Sequence, residues 1–339
     1  MANRLGCESG CLPFTYLGMP IGAHMSRLSN WRPVIERFNK KLSIWKARTL
    51  SIGGRLTLCK SVLGSLGTFL FSVFKVPMLV LKKLQSIRCR FLWGGTDNAR
   101  KITWVSWNKT LGSRDNSGLN IGSLRASNLA LLAKWWWRFR DGEDGLWKEV
   151  IKAIYGSGGG IGTEIPSSRR TTVWGVIGGI DKDILKGNID LQAFLHFDVY
   201  SNRWRWDLDS NGEYTVRSLR KALDDSWLDS NSTHTIWCNS VPRKINVFIL
   251  RLRLDRLPTI DNLEKRGIHT DSQLCPACNC SNETRDHLFA TCSTAKELLA
   301  RLSCRWKNLE GVSSINNIEE MIAYGKNPVG ARRRLLNLR

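Results

Sequence analysis

Acidic side chains are scarce at the front of this sequence. Residues 1–140 hold 4 Asp and Glu against 23 Lys and Arg, a surplus of 19, whereas residues 141–339 hold 25 against 28. So few acids cannot neutralise the first part internally. A basic half joined to a near-neutral half is an electrostatic footprint for a polyanion, RNA or DNA, with an inert basic surface or an anionic membrane as the alternatives. Long hydrophobic runs are also missing. The longest, residues 61–74, lies between Lys60 and Lys75. It is shorter than the ~20 residues a spanning helix needs, so it reads as a buried helix and no membrane partner is expected. The N-terminus lacks the apolar stretch of a secretory signal. Ten cysteines without such a signal read as reduced thiols of an intracellular protein, and clustered ones as metal ligands.

Catalytic constellations are equally sparse. The glycine-rich stretch 156–162 is not followed by the Gly-Lys-Ser/Thr of a phosphate loop, and five scattered histidines support no Ser/His/Asp pairing. Template-directed nucleotide addition needs carboxylates that hold two Mg²⁺ ions. The adjacent acids are Glu143-Asp144, Asp224-Asp225 and Glu319-Glu320, none of them in an apolar strand. Asp224-Asp225 reads as a solvated helix end, and Asp207 and Asp209 as turn residues. The chain is therefore read as non-catalytic.

What is present is mostly helical patterning. Val34, Ile35, Phe38, Leu42 and Trp45 share one helical face, with Pro33 in the first turn. A second helix is expected over about 54–74 and a third over 78–93, separated by Val76-Pro77. Residues 102–107 alternate like a short strand, 116–122 read as a turn, and Ser127 or Asn128 is expected to cap a helix through Phe139. A hairpin is expected from 204–207 to 214–216 around Asp209-Ser210-Asn211-Gly212. Further helices are expected over 218–223, 235–253, 259–266 and 293–306. The fold class is mainly α with minor β (α+β). The expected organisation is a basic helical region (1–150), a Gly-rich linker region (151–200), a zinc-stapled module (201–306) and a tail (307–339).

Fifteen tryptophans need burial or a partner. In Trp135-Trp136-Trp137, Trp136 shares a helical face with Leu129, Leu132 and Phe139 and reads as core. Trp137 points off that face and is the best candidate for stacking on an unpaired base. Trp93, Trp104 and Trp107 fit either role. Lys40, Lys41, Lys82, Lys83, Arg88 and Arg90, on the polar faces of two expected helices, are the candidate phosphate contacts.

The strongest constellation is Cys275-x2-Cys278-x8-His287-x4-Cys292. A Cys-x2-Cys turn brings two thiolates to one metal, and a His and a Cys four residues apart can close a tetrahedron from the other side. Zinc favours this closed S/N set in structural sites. Cys280 remains the alternative to Cys278, and His269 to His287. Cys304 sits on an apolar helix and reads as core.

Taken together, these residues resemble the C-terminal part of plant LINE-type, non-LTR retrotransposon reverse transcriptases. Residues 12–22 (LPFTYLGMPIG) are similar to the segment after that family's palm, 45–55 (WKARTLSIGGR) to its thumb-like helices, and 91–95 and 128–136 to the connecting region. Trp237, Val241-Pro242-Arg243-Lys244-Ile245, Phe248, Arg256-Leu257-Pro258-Thr259, Leu263, Arg266-Gly267-Ile268 and His287-Leu288-Phe289 resemble the reverse-transcriptase zinc-binding domain. The resemblance covers most of residues 12–305 and implies a structural zinc ion on a CCHC set of Cys275, Cys278, His287 and Cys292. It also implies template or target binding. Leu250 stands where the family usually has Trp, and Ser117 where it has the first Gly of Gly-Gly-Leu. The palm, with the carboxylates of an RNA-directed DNA polymerase, would precede residue 1, so a 5′-truncated element is expected. The rivals are a chain that assists a palm supplied in trans, a zinc module that binds a protein partner, and a non-functional remnant. A nuclear location is expected if the chain is functional; the arginines at 332–334 are too short a run to act as a nuclear signal.

Overall fold

The computed structural model describes residue 6 and residues 10–42, 49–94, 102–141, 145–162, 165–200, 203–228, 234–305 and 317–320. Trp45, Glu143, Asp144, Trp306 and the arginines at 332–334 lie outside them, as does the Cys304 side chain. The chain forms two compact units, residues 1–244 and 245–339.

The first unit opens with a hairpin, β1 (Phe14–Tyr16) and β2 (Met19–Ile21), paired antiparallel. Helix α1 (Arg32–Lys41) follows, with Pro33 in its first turn and Val34 and Phe38 buried. Ser51 caps α2 (Ile52–Leu66) by accepting from the Gly54 N–H at 3.3 Å. The helix expected over 54–74 is broken. It stops at Gly67, and the short α3 (Thr68–Phe71) turns the Phe71 ring back over that glycine, where a Cβ would stand 2.7 Å from Phe71 Cζ. Helix α4 (Met78–Trp93) starts after Pro77, as expected, and ends at left-handed Gly94. Residues 102–106 form no strand. Ser106 instead caps a short helix, α5 (Trp107–Leu111), by accepting from the Lys109 N–H.

The centre of this unit is α6 (Leu124–Asp141). It starts before the expected cap because Ser123 Oγ accepts from the N–H groups of Arg125 and Ala126. Asn128, now one turn inside the helix and buried, spends its side chain elsewhere. Its Oδ1 accepts from Val76 N at 2.9 Å, and its Nδ2 donates to the carbonyls of Phe71 and Phe74. That amide satisfies the irregular turn between α3 and α4, whose backbone would otherwise be buried without partners.

Helix α7 (Leu146–Tyr155) follows. The stretch 151–200, expected as a Gly-rich linker region, carries turns at 156–162 and then α8 (Val173–Gly178) and α9 (Ile180–Leu185). Trp174, Ile177, Ile180 and Ile184 are buried in the same core as α6, and the Trp174 indole donates to Gly159 O at 2.8 Å. The expected hairpin takes a different partner. Strand β4 (Arg203–Trp206) pairs with upstream β3 (Leu195–Asp198), register Leu195 to Trp206. Residues 207–212 only turn the chain toward α10 (Val216–Trp227), which Thr215 caps by accepting from Ser218 N.

Helix α11 (Arg243–Arg253) begins later than the expected 235, since residues 234–238 are irregular. In the second unit, Leu252, Leu257 and Ile318 form a small core with Phe289 against it. Helix α12 (Ile260–Glu264) and α13 (Ser293–Arg305) flank the cysteine cluster. The fold is mainly helical with two small antiparallel sheets among the described residues. No helix among them is long and apolar enough to cross a membrane.

Candidate metal centre

The four ligands come from two local devices. Cys275 and Cys278 sit in a tight turn closed by an antiparallel bridge between Leu274 and Asn282. Cys275 N donates to Ser281 O and Asn279 N to Cys275 O, both at 2.8 Å. Asn279 occupies the left-handed region at φ 53°, which asparagine tolerates better than most residues. Pro276 lies between the two thiols.

His287 and Cys292 bracket a π-helical turn, His287–Thr291, in which Cys292 N donates to His287 O at 2.7 Å. In an α-helix, five residues at roughly 100° each would leave the two side chains about 140° apart. The wider i→i+5 turn brings them back to one side. The spacing His-x4-Cys was legible in the sequence, but this turn was not.

All four ligand atoms lie within 4.8 Å of one another. Cys278 Sγ is 3.2 Å from His287 Nε2, and His287 Nδ1 is 3.4 Å from Thr291 Oγ1. The ring therefore turns Nε2 to the thiols and keeps Nδ1 for a hydroxyl, the division of labour seen in metal-bound histidines. Cys275 and Cys292 are buried. Burial pushes the Cys275 thiol up from its ordinary range. At Cys292 burial acts the same way but is outweighed by the N–H groups of Ala295 and Thr294 in the first turn of α13, and the thiol falls below its ordinary value. A helix N-terminus favours a thiolate there.

This set fits zinc. Tetrahedral bonds of roughly 2.3 Å put thiolates about 3.8 Å apart, inside the spread observed. Three sulfurs and one imidazole leave no hard oxygen ligand to favour Mg²⁺ or Ca²⁺. Zinc is the cofactor this closed set is able to hold. Cys280 is not among the four; its exposed thiol turns to Cys278 O at 2.9 Å. His269 is exposed and outside the cluster. The surroundings brace the ligands. Thr294 Oγ1 donates to Ala277 O, Arg285 donates to the carbonyls of Leu252 and Arg253 at the end of α11, and Asp286 accepts from Ile318 N.

The candidate nucleic-acid residues divide. Lys40 and Lys41 close α1 and are exposed, as are Lys82 and Lys83 on α4. Arg90 is half-buried. Arg88 is a correction: it is buried and donates to Gln85 Oε1 and Gly122 O, so its charge serves the fold. Burial lowers its pKa to about 10.

Trp137 is a second correction. It is buried, T-shaped to Trp206 at 5.9 Å and stacked on Tyr214 at 6.1 Å. The one-face reading failed because α6 is enclosed on several sides, by α3, α8, α9 and α10. Trp136 and Phe139 are core, as expected.

Asp224 is a third. It is no solvated helix end: buried, it accepts from Ser123 N at 3.1 Å and pairs with Arg220 at 3.6 Å. Burial raises its pKa to about 6 against the pull of Arg220 and the Ser123 N–H.

Residues 214–298 match the family described as zinc-binding in reverse transcriptase. The chain is also similar to an Arabidopsis thaliana protein named for ribonuclease H, 31% identical over 137 residues, which are 40% of this chain and 22% of that protein. It is 41% identical over 71 residues to an uncharacterized mitochondrial protein of Arabidopsis thaliana, covering 21% of this chain and 46% of the relative. The matched stretches span less than half of either relative.

Proposed function

We propose that the chain is a nucleic-acid-binding fragment of a plant LINE-type, non-LTR retroelement reverse transcriptase, a reading supported by the match of residues 214–298 to the family described as zinc-binding in reverse transcriptase. The zinc ion is structural, on the CCHC set Cys275, Cys278, His287 and Cys292. The charge surplus of residues 1–140, which Lys40, Lys41, Lys82 and Lys83 carry to solvent, is the observation that supports the reading most. Region 1–150 supplies phosphate contacts and region 201–306 the zinc module. No nucleotide-adding chemistry is assigned to these residues. Asp224 and Asp225 have structural partners in Ser123 and Asn116, and Glu319 pairs with Arg253. Among the described residues, no group other than the zinc set gathers three potential metal ligands.

Binding of this kind is phosphate-driven and weakly sequence-specific. Replacing Lys40, Lys41, Lys82 and Lys83 together by Gln is expected to flatten the slope of log K against log salt by about 3–4 for duplex DNA. Titration of the full chain with labelled RNA and DNA between about 50 and 200 mM salt measures it. A wild-type affinity that ignores salt refutes the proposal. Exposed Leu274 and Leu298 in the zinc unit favour a second reading, a protein partner for that unit.

A further inference from the structure

Of the basic residues singled out in the sequence, Lys40, Lys41, Lys82 and Lys83 are exposed on α1 and α4. A different basic cluster is assembled by the fold around Lys60, beside Trp237. The Arg114 guanidinium lies 4.1 Å from the Trp237 ring centre, and Lys60 Nζ lies 5.9 Å from it. Arg243 donates to Thr57 Oγ1, one turn before Lys60 on α2 and on the same face. This approach depends on Gly53. A Cβ there would stand 3.0 Å from both Arg243 Cβ and Lys244 N. Arg220 comes from α10, where it holds Ile121 O at 2.8 Å. Arg114 and Lys60 thus meet at one tryptophan, and Arg243, at the start of α11, and Arg220, on α10, lie close enough to act on the Lys60 charge, all within the first unit.

Among the described residues their neutralisation is incomplete. Asp224 lies 3.6 Å from Arg220 but is also drawn on by buried Arg88. Asp115, beside Arg114 in sequence, lies 3.9 Å from the His234 ring. Arg114 Nε is buried without a hydrogen-bond partner among the described residues. Half-burial and the neighbouring Arg114, Arg243 and Arg220 lower the Lys60 pKa to about 8. Like charges gathered at partial burial destabilise a fold unless something else compensates, and the usual compensation is an anion.

We infer that Lys60 and the Arg114, Arg220 and Arg243 side chains gathered around it, beside Trp237, form a seat for a backbone phosphate of a bound nucleic acid. This rests on the nucleic-acid reading above and gives it a specific contact. It also gives a role to Trp237 and to Val241-Pro242-Arg243-Lys244, a motif that holds no zinc. Because Arg114 and Lys60 lie against the Trp237 ring, their charges are held in place for a phosphate. The contact is expected to be indifferent to sequence.

The test uses the full zinc-loaded chain and a labelled single-stranded RNA, with duplex DNA alongside. Lys60→Gln and Arg243→Gln are each expected to lower affinity several-fold and to reduce the salt slope by about 1, whereas Lys60→Arg restores both. A second readout needs no variant. At pH 8, roughly half of Lys60 is neutral, so an amine-acylating reagent should modify it ahead of ordinary surface lysines. Bound nucleic acid should protect it and raise its apparent pKa. Wild-type binding with unaltered slopes in both Gln variants, or acylation of Lys60 at the same rate in the complex, overturns the seat and leaves the general reading standing. A wild-type chain that binds neither nucleic acid at about 50 mM salt overturns both.

Discussion

Trp137 separates a packed tryptophan from a base-stacking one, because the two roles predict opposite results. Its ring is buried among Trp206, Tyr214 and the alanines of α6. Trp137→Ala therefore leaves a cavity at the centre of the first unit. Truncations of this kind cost about 3–5 kcal/mol, and the two lost aromatic pairs push toward the upper end. For a unit of this size each kcal/mol moves the midpoint by roughly 2–4 °C, so Tm should fall by about 6–20 °C. Trp137→Phe should retain much of the loss. A stacking residue would behave otherwise: affinity for single-stranded RNA would drop by roughly 5- to 150-fold, the equivalent of about 1–3 kcal/mol, with little change in Tm. The assays are differential scanning calorimetry and RNA titration well below the lowered midpoint. A Tm within a degree or two of wild type, together with a large loss of affinity, would refute the core assignment.

Two further outcomes are expected. Removing zinc with a chelator, or Cys278→Ser, should open residues 270–305 to protease, since structural zinc in small peptides contributes about 10–16 kcal/mol and the core of Leu252, Leu257 and Ile318 is small; Cys280→Ser should leave zinc content and protease resistance unchanged, and a resistant Cys278→Ser chain would count against the site. Asp224 should make stability pH-dependent: its folded pKa of about 6 lies above the ordinary carboxylate value, so the folded state holds the proton more tightly and this contribution, present at low pH, is lost as pH rises through 6. Relative to Asp224→Asn, wild type should gain roughly 1 kcal/mol between pH 7 and pH 5 in urea unfolding, and parallel curves would remove the assignment.

The zinc set was legible because its ligands are local, lying within 18 residues, with spacing that carries the chemistry. Helix α4 was legible for a similar reason, bounded by Pro77 and Gly94. What escaped the sequence depends on distant partners. β4 pairs with a weakly patterned strand upstream instead of with the residues after its own turn. Asn128 looks like a helix cap until the turn at 71–76 claims its amide. Arg88 sits among basic neighbours on α4, yet Gly122 O, 34 residues on, takes its guanidinium. Asp224 lies at the polar end of a helix in sequence, yet meets Ser123 N, 101 residues away. Periodicity shows that a side chain leaves one helical face. It does not show whether a second element covers the other.

The matched region 214–298 is similarly longer than the zinc site it contains. Its first part belongs to the core of the first unit. Tyr214 donates to Ala130 O at 2.5 Å, and Leu219 and Leu223 are fully buried with α6. The ligand loops answer to other partners, and the bonds that brace them run to Leu252, Arg253 and Ile318. Zinc binding energy is therefore delivered within the second unit, while Trp237 and Arg243 are positioned by contacts with Arg114, Lys60 and Thr57 in the first. One matched segment thus contributes to both units. A metal-free chain is expected to lose its zinc module and still retain the basic cluster, so zinc content and the proposed phosphate binding can be measured independently.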